Sequence, residues 1–496
     1  MSIDLSVYTQ IYMFTTAPLF GKFHSPLMDA TKPFLSRRPL HHLETICSDR
    51  IDPILLQTNE TKDNSRERIY TPRLTFFAFL DQVLNPDSSC RSAVDQILSY
   101  YHSLPHYPII DSDTSAYCQA RARWTGDELI DIRRHLAGRM AIHGNTLLPG
   151  IPSPCPIKVI DGTCLNMPDT LANRELFPQS TDQKPGCGFP QIRMVGVFCL
   201  KTGVLLEETS APYAISENAL FQDLWPTFQA GDLLLADRNF SSYGSIASLK
   251  QREVDCLFHL HASRKSDFRK GLRLGPRDRL ITWTKPARKP ANLTQEQWQL
   301  LPAKLTVRMV RVRLATSHGR CKTVTLVTTL TDTKLWPAKL LVALYHRRWK
   351  IELNWDDMKT TLHMDMLSCK SPEMIHKEIQ MHLIAYNMIR TLMAEAALIG
   401  DAPLDRMSFK GTLDAAHHYS QAIAKIPIAY RKRRLALYAE MLATIASDLV
   451  PDRPDRREPR CQKRRPKSYP FMTRPRHQMK DAPKSSRRRK TRHSLS

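Results

Sequence analysis

The spacing of apolar residues along the chain separates helical stretches from strand-rich ones. Between residues 70 and 140, apolar side chains recur every three or four positions, which is the period of a helix buried on one side. At least three helices are predicted there, over 70–84, 90–104 and 117–140. From residue 156 the period shortens, and β-prone runs bounded by Gly, Pro and polar turns predict strands. These runs are 156–163, 191–200, 203–211, 232–240 and 254–262, with one helix at about 245–252 before the last.

The pattern predicts a mixed α/β core that is preceded and followed by helices. Residues from about 264 to 330 alternate polar and apolar positions, as antiparallel strands do, and carry many cations. Helical periodicity resumes at residue 337 and continues to about 448. The predicted segments are 1–66 (irregular), 67–150 (helical), 151–263 (first part of the core), 264–333 (β-rich insertion), 334–450 (rest of the core and C-terminal helices) and 451–496 (disordered basic tail).

The charge balance indicates a polyanionic partner. The 496-residue chain has 72 Lys and Arg against 48 Asp and Glu, a formal net charge of +24. Counterion release gives such a protein a thermodynamic reason to bind nucleic acid. The segment after residue 450 is rich in Lys and Arg and has few aliphatic residues, so it cannot bury enough apolar surface to fold. Nucleic acid is therefore the expected partner, and the tail is either a solubilising terminus or a nonspecific DNA contact.

Neither a membrane nor an oxidising compartment is expected. No apolar run approaches the roughly 20 residues that cross a bilayer, and the start of the chain carries Asp4 and no basic leader. The eleven cysteines are scattered without a Cys-x-x-Cys pair, which favours reduced thiols over a zinc site or a disulfide framework. A cytoplasmic protein is the expectation.

Two aspartates follow predicted strands directly. Asp161 ends the run "KVID" and Asp237 ends the run "LLLAD", and each is followed by turn residues. Ligands of α/β folds usually bind where the carboxyl ends of strands meet, so these positions are candidates for a site. The alternative is that each aspartate simply starts a loop, which is common at strand ends.

A polar stripe lies on the predicted helix that begins at residue 337. Tyr345, Arg348, Glu352 and Lys359 fall within about 60° of one another at 100° per residue, beside a separate apolar face. Mixed charges on a helix usually form a solvated face with salt bridges, which is the alternative to a functional role. Asp356 lies close to the same stripe, one turn beyond Glu352.

Together, Asp161, Asp237 and Glu352 suggest metal-dependent chemistry. Three carboxylates brought close together repel one another unless cations neutralise them, and hard oxygen ligands suit Mg²⁺ or Mn²⁺. Two such ions can activate the attacking oxygen and stabilise the leaving oxygen of a phosphoryl displacement. The inferred chemistry is cleavage or transfer of phosphodiesters.

The spacing Tyr-x2-Arg-x3-Glu-x6-Lys resembles the YREK signature of DDE transposases from bacterial insertion sequences. The phrases "VIDGTCLNMPDTLANRELFP", "LLLADRNFSSYGSIASLK" and "LVTTLTD" are similar to the same family, and the resemblance covers residues 70 to 400 approximately. It implies a ribonuclease H-like core in which Asp161, Asp237 and Glu352 bind two divalent ions. It also implies that Tyr345, Arg348 and Lys359 contact DNA phosphates.

The resemblance further implies a transposase that works as a homodimer on paired DNA ends in a bacterial, nucleoid-associated setting. The helical region 67–150 would bind terminal inverted repeats, and the core would join a freed 3′ hydroxyl to target DNA. Candidates for reading bases in the helical region are Arg121, Arg123, Arg133 and Arg134, although an exposed helix cation is the default interpretation of each. Some relatives form a DNA hairpin with the help of a tryptophan. Trp283 and Trp336 are candidates for that role, although packing is the better interpretation of both.

Two alternatives to a transposase remain: a structure-selective nuclease on the same fold, and a DNA-binding relative without catalysis.

Overall fold

The computed structural model describes residues 41–47, 50–51, 69–85, 89–102, 111–147, 155–264, 266–315, 321–451 and 471–479. Most of the segment predicted over 1–66 and most of the basic tail predicted over 451–496 lie outside these residues.

Helices dominate the described residues before the sheet, as the apolar period predicts. They are α1 (Glu44–Cys47), α2 (Pro72–Leu84), α3 (Cys90–His102), α4 (Ser115–Ala122) and α5 (Gly126–Leu147). The helix predicted over 117–140 is in fact two helices, because Thr125 and Glu128 form a reciprocal cap that starts α5. The Glu128 backbone N–H donates to Thr125 Oγ1 (3.2 Å), and the Thr125 backbone N–H donates to the Glu128 carboxylate (2.8 Å).

The first five strands form the centre of one sheet. They are β1 (Ile157–Asn166), β2 (Gln191–Cys199), β3 (Leu205–Pro212), β4 (Leu233–Ala236) and β5 (Asp255–His259), with α6 (Leu171–Leu176), α7 (Glu217–Asp223) and α8 (Tyr243–Gln251) between them. β1, β2 and β3 pair antiparallel, whereas β4 and β5 run parallel to β1 in the order β3-β2-β1-β4-β5. The centre of the sheet is therefore mixed, as the sequence predicts.

The β-rich insertion extends this same sheet. It contains β6 (Leu272–Gly275), β7 (Asp278–Thr284), α9 (Gln295–Leu300), β8 (Lys304–Ala315) and β9 (Cys321–Thr328). β9 pairs antiparallel with β5, so the full order is β3-β2-β1-β4-β5-β9-β8-β7-β6. A buried ion pair joins β8 to β7, with Arg308 Nη2 at 2.6 Å from Asp278 Oδ2. Arg308 also donates to the carbonyl of Trp336 (2.6 Å), a buried residue.

Helices resume after the insertion and cover one face of the sheet. They are α10 (Ala338–Arg347), α11 (Lys350–Asp356), a π-turn (Asp357–Thr361), α12 (Pro372–Gly400), α13 (Phe409–Ala424) and α14 (Arg431–Ser447). Alternate residues of β1 face different cores: Val159 packs with α12 and the other flanking helices, and Ile160 packs with α7 and α8. α12 is the one described helix long and apolar enough to cross a membrane, and 78% of its most apolar window is buried inside the protein.

Candidate active site

The register of two parallel strands aligns Asp161 with Asp237. β1 and β4 pair as Ile157 with Leu233 and Val159 with Leu235, so continuing this register for two residues puts Asp161 opposite Asp237. Adjacent strands are about 4.8 Å apart. The prediction that Asp237 lies at the end of a strand is confirmed, because Asp237 directly follows the last residue of β4. The prediction that Asp161 ends a strand is wrong.

β1 continues past Asp161 because its other edge is paired with β2. Asp161 lies opposite Gly196 in that ladder, and the pairing runs on to Asn166. β4, in contrast, stops at Ala236 and the chain turns away, with the Asn239 backbone N–H donating to Asp237 Oδ1 (2.7 Å). Asp161 is therefore in the middle of a strand, but it lies just beyond the point where β1 loses its parallel neighbour.

Burial disfavours the charged form of Asp161. Its pKa is raised to about 6, mainly by desolvation, while the Arg348 guanidinium and a hydrogen bond from the Gly162 N–H (3.0 Å) lower it. The Asp237 and Glu352 carboxylates also raise this pKa. The three carboxylates are thus close enough to repel one another, although they come from β1, the end of β4 and α11.

The predicted helix stripe is interrupted in the structure. α10 ends at Arg347, a turn follows, and α11 then carries Glu352, while Lys359 lies in the π-turn. π-turns are rare and occur often at functional sites. The Tyr345 and Arg348 side chains are buried, whereas the Glu352 side chain is 46% exposed. A fully solvated charged face is therefore excluded for Tyr345 and Arg348.

Arg348 contacts both Glu352 and Tyr345 of this stripe. Its Nη2 lies 3.3 Å from Glu352 Oε1, and its guanidinium carbon lies 5.7 Å from the centre of the Tyr345 ring. Burial raises the pKa of Tyr345 to about 12, while Arg348 lowers it by its charge and a hydrogen bond, and Asp237 and Asp161 raise it. Tyr345 therefore keeps its phenolic proton at neutral pH and can donate a hydrogen bond.

An open cavity of about 550 Å³ is lined by residues of β1 on one side and by residues of α11 and the π-turn on the other. Its lining consists of Asp161, Gly162, Thr163, Glu352, Trp355, Asp356, Lys359, Thr360, His363 and Asp365. Asp161, Glu352 and Lys359 thus share one cavity. Asp237, Tyr345 and Arg348 are not among its lining residues. Asp356 does line it, and its Oδ1 accepts a hydrogen bond from Thr360 (2.7 Å).

Several residues near the site carry no clear signal in the sequence. Glu217, in the first turn of α7, accepts a hydrogen bond from Asn239 Nδ2 (3.4 Å). A Cβ on Gly162 would lie 2.8 Å from Glu217 Oε1, so a larger residue there would displace this fourth carboxylate. His363 follows the π-turn with a φ of +56°. Both residues reach the site from chain segments that the local pattern does not connect to it.

Other sequence candidates have structural roles instead. Trp283 and Trp336 are buried, which agrees with packing. Arg121 is buried beside Phe79, with its guanidinium carbon 4.7 Å from the ring centre, and Arg133 is 1% exposed and paired with Glu207. These two arginines are therefore not exposed helix cations, and their burial leaves them unavailable to DNA.

The oxygen ligand set fits hard divalent cations. The three carboxylates do not surround a single point, however. Among the described residues, one group of three ligand atoms from His, Cys, Asp or Glu lies within 4.8 Å of one another, and it is His42, Asp81 and His417, outside this cavity. A wider separation is compatible with two ions, which lie about 3.5–4 Å apart in two-metal sites.

Comparison with known proteins points to one family. Residues 153–388, a range that contains all six predicted site residues, match the model of the transposase DDE domain. The chain is also similar to transposase InsG of insertion sequence element IS4 from Escherichia coli (strain K12), with 27% identity over 318 residues, a stretch covering 63% of this chain and 68% of that protein. Both matches support a DNA transposase of the DDE type, a class that uses divalent metal ions.

A solved structure gives a weaker likeness. The cryo-EM structure of a piggyBac transposase synaptic complex with hairpin DNA aligns with 83% of each chain at 12% identity and a TM-score of 0.42. This likeness is too weak to support any conclusion about the site.

Proposed function

We propose that this protein is a transposase that cuts DNA at the terminal inverted repeats of an insertion sequence and joins the freed 3′ hydroxyl to target DNA. Asp161, Asp237 and Glu352 would hold two Mg²⁺ or Mn²⁺ ions. The observation that carries the proposal is the parallel register that aligns Asp161 with Asp237, beside a cavity that Asp161 and Glu352 both line.

The electrostatics of the carboxylates support divalent ions. Asp161 is partly buried beside two further carboxylates, and one guanidinium alone does not restore its ordinary pKa. Bound divalent ions would offset this repulsion, activate the attacking oxygen and stabilise the leaving oxygen of the displacement. The all-oxygen ligand set favours Mg²⁺ or Mn²⁺ over softer metals.

The cationic and phenolic groups would hold DNA phosphates. Lys359 lines the cavity and is available as a point charge for a phosphate. Arg348 is held against Glu352 and Tyr345, which restricts the directions of its N–H donors. Tyr345 would offer its phenolic O–H. None of these three donates a lone pair that a hard metal ion prefers, so their proposed role is to position the DNA strand.

The proposed partners are the terminal inverted repeats and the target duplex, bound by a homodimer on paired ends. The net charge of +24 supports DNA binding, and paired ends favour a symmetric dimer. The helical region 67–150 remains the proposed repeat-binding part, with Arg134 exposed on α5 although it also pairs with Glu207. A cytoplasmic, nucleoid-associated location follows from such a substrate.

The test is cleavage of a supercoiled plasmid carrying the two ends of the element, with Mg²⁺ or Mn²⁺. Glu352→Gln should bind the ends and lose cleavage, whereas Asp356→Asn, on the wall of the same cavity, should retain it. Equal cleavage by wild type and Glu352→Gln would remove Glu352 from the metal ligands. Cleavage without joining of a supplied 3′ end would indicate a structure-selective nuclease, and binding without cleavage under either metal would indicate an inactive relative.

A further inference from the structure

A second group of ligand side chains lies away from the carboxylate site. It joins three distant parts of the chain: His42 just before α1, Asp81 in the last turn of α2, and His417 in α13. One ligand atom from each of the three lies within 4.8 Å of the other two. None of these residues lines the cavity between Asp161 and Lys359.

Two of the ligand atoms are buried and face each other without a hydrogen bond. His42 Nε2 and Asp81 Oδ1 are 3.5 Å apart, and their side chains are 8% and 1% exposed. Neither atom has a hydrogen-bond partner among the described residues. Leaving a buried polar atom without a partner destabilises a fold, so two such atoms in contact require an explanation.

The separation of these atoms matches what a metal ion between them would impose. Zinc binds imidazole nitrogen and carboxylate oxygen at about 2.0–2.2 Å, so neighbouring ligand atoms in a tetrahedral site lie about 3.3–3.6 Å apart. A normal hydrogen bond between nitrogen and oxygen is shorter, at about 2.9 Å. The observed 3.5 Å fits a shared ion better than a shared proton.

The surroundings orient the ligands from outside. Asn85 Nδ2 donates to the other carboxylate oxygen of Asp81 (3.0 Å), which leaves Oδ1 directed toward His42. Nε2 of His417 lies 3.0 Å from the Gln421 side-chain nitrogen. Partners of this kind fix the orientation of metal ligands in known sites.

The ligand types select the class of metal. Two imidazoles and one carboxylate suit Zn²⁺ and related transition metals, whereas Mg²⁺ and Ca²⁺ prefer oxygen ligands throughout. We propose that His42, Asp81 and His417 form a structural binding site for a zinc-like divalent transition metal ion, which fastens the chain around α1 to α2 and the C-terminal helices. Thr45 Oγ1 lies 3.3 Å from the Ser420 carbonyl, and Arg50 donates to Tyr438 (2.7 Å), so the chain around α1 already contacts α13 and α14.

The experiment uses chelator-treated full-length protein that carries Glu352→Gln, so that metal binding is scored without activity. Co²⁺ is added as the probe, because Co²⁺ held tetrahedrally by nitrogen absorbs far more strongly in the visible than Co²⁺ held octahedrally by oxygen. We expect one equivalent of Co²⁺ to give this spectrum, one equivalent of Zn²⁺ to abolish it, and Zn²⁺ to raise the Tm. His417→Gln should lose both effects.

The matched control is His418→Gln, which changes the exposed neighbouring histidine of the same helix and should keep both effects. His417→Cys should restore binding and add a thiolate-to-cobalt absorption in the near ultraviolet, which an unfolded variant would not give. Three outcomes would overturn the proposal: no tetrahedral spectrum in the His417-containing protein, equal loss in His417→Gln and His418→Gln, or no thiolate absorption in a folded His417→Cys.

Discussion

The two sides of the carboxylate site are built differently. On the sheet side, Asp161 and Asp237 are aligned by the hydrogen-bonded register of β1 and β4, and burial raises the pKa of Asp161. On the helix side, Glu352 is about half exposed, and its helix is interrupted before it by a turn and after it by a π-turn. The sheet side is therefore held by strand pairing, with Asp161 partly desolvated, whereas Glu352 on the helix side is more open to solvent.

This difference separates two kinds of contribution to catalysis. A partly buried carboxylate fixed by strand pairing is costly to charge but needs little ordering when ligand binds. A half-exposed glutamate costs little to charge but must be ordered. We expect variants on the sheet side to change both stability and activity, and variants on the helix side to change activity almost alone.

The largest effect is expected from the sheet side. Asp237→Asn should lower the rate of end cleavage by roughly 10²–10³-fold or more, because pre-organised charge at a reacting centre is worth that much. Cleavage of the plasmid with both element ends under single-turnover conditions measures it. The control is Glu217→Gln, which removes the neighbouring carboxylate that contacts Asn239 and should cost less than about tenfold. Equal losses would make Glu217 part of the metal site.

The next largest effect on the cleavage rate is expected from Arg348, which links the sheet side to the helix side. Arg348→Met should lower the cleavage rate by about 100-fold, since Arg348 is the cation nearest to Asp161, Tyr345 and Glu352. Arg348→Lys should recover only part of it, because an ammonium cannot copy the guanidinium fork. Arg347→Met, at the end of α10, is the control. A loss that appears only in DNA affinity, with the cleavage step unchanged, would contradict a role beside the carboxylates.

Local patterns in the sequence were sufficient for most elements and for selecting the candidate site residues. The aspartates stood out because each follows an apolar run, and Tyr345 to Lys359 stood out by helical spacing. Pairing between distant segments could not be obtained in this way. β1 runs past Asp161 because β2 pairs with it, and the insertion joins the main sheet because β9 occupies the edge of β5.

The period of apolar residues also did not predict where the helices are interrupted. The period of apolar residues is nearly the same across α10, α11 and the π-turn, so one continuous helix was predicted where the chain makes three elements. The split between α4 and α5 had a local signal in Thr125 and Glu128, the two ends of a capping box. Arg133 looked like an exposed cation because its partner, Glu207, comes from β3, 74 residues later.

A smaller effect, on the free energy of unfolding, should distinguish the sheet side from the helix side. The pKa of Asp161 rises from 3.8 to about 6 on folding, so at pH 7.5 the ionised carboxylate opposes folding, and this penalty fades as the pH falls below 6. Each pKa unit is worth about 1.4 kcal/mol, and after relaxation we expect Asp161→Asn to stabilise the metal-free protein by about 1–2 kcal/mol. Denaturant unfolding in the presence of a chelator measures it.

The matched variant on the other side is Glu352→Gln, which should change the free energy of unfolding by less than about 0.5 kcal/mol because its side chain is half exposed. Added Mg²⁺ should stabilise the wild type and not Asp161→Asn. If Asp161→Asn destabilises the metal-free protein as much as a core substitution, burial is not what perturbs this carboxyl group, and the contrast between the two sides fails.

The smallest effect is expected at the π-turn. Lys359→Ala should weaken binding of DNA ends about equally for all sequences and reduce the slope of log K against log salt by about 1, as the loss of one phosphate contact does. Lys410→Ala, on α13 and paired with Asp414, should leave the slope unchanged. Fluorescence anisotropy over a series of salt concentrations measures both. An unchanged slope in Lys359→Ala would mean that the π-turn shapes the cavity wall without binding phosphate, and the DNA-contacting part of the helix side would then end at Arg348.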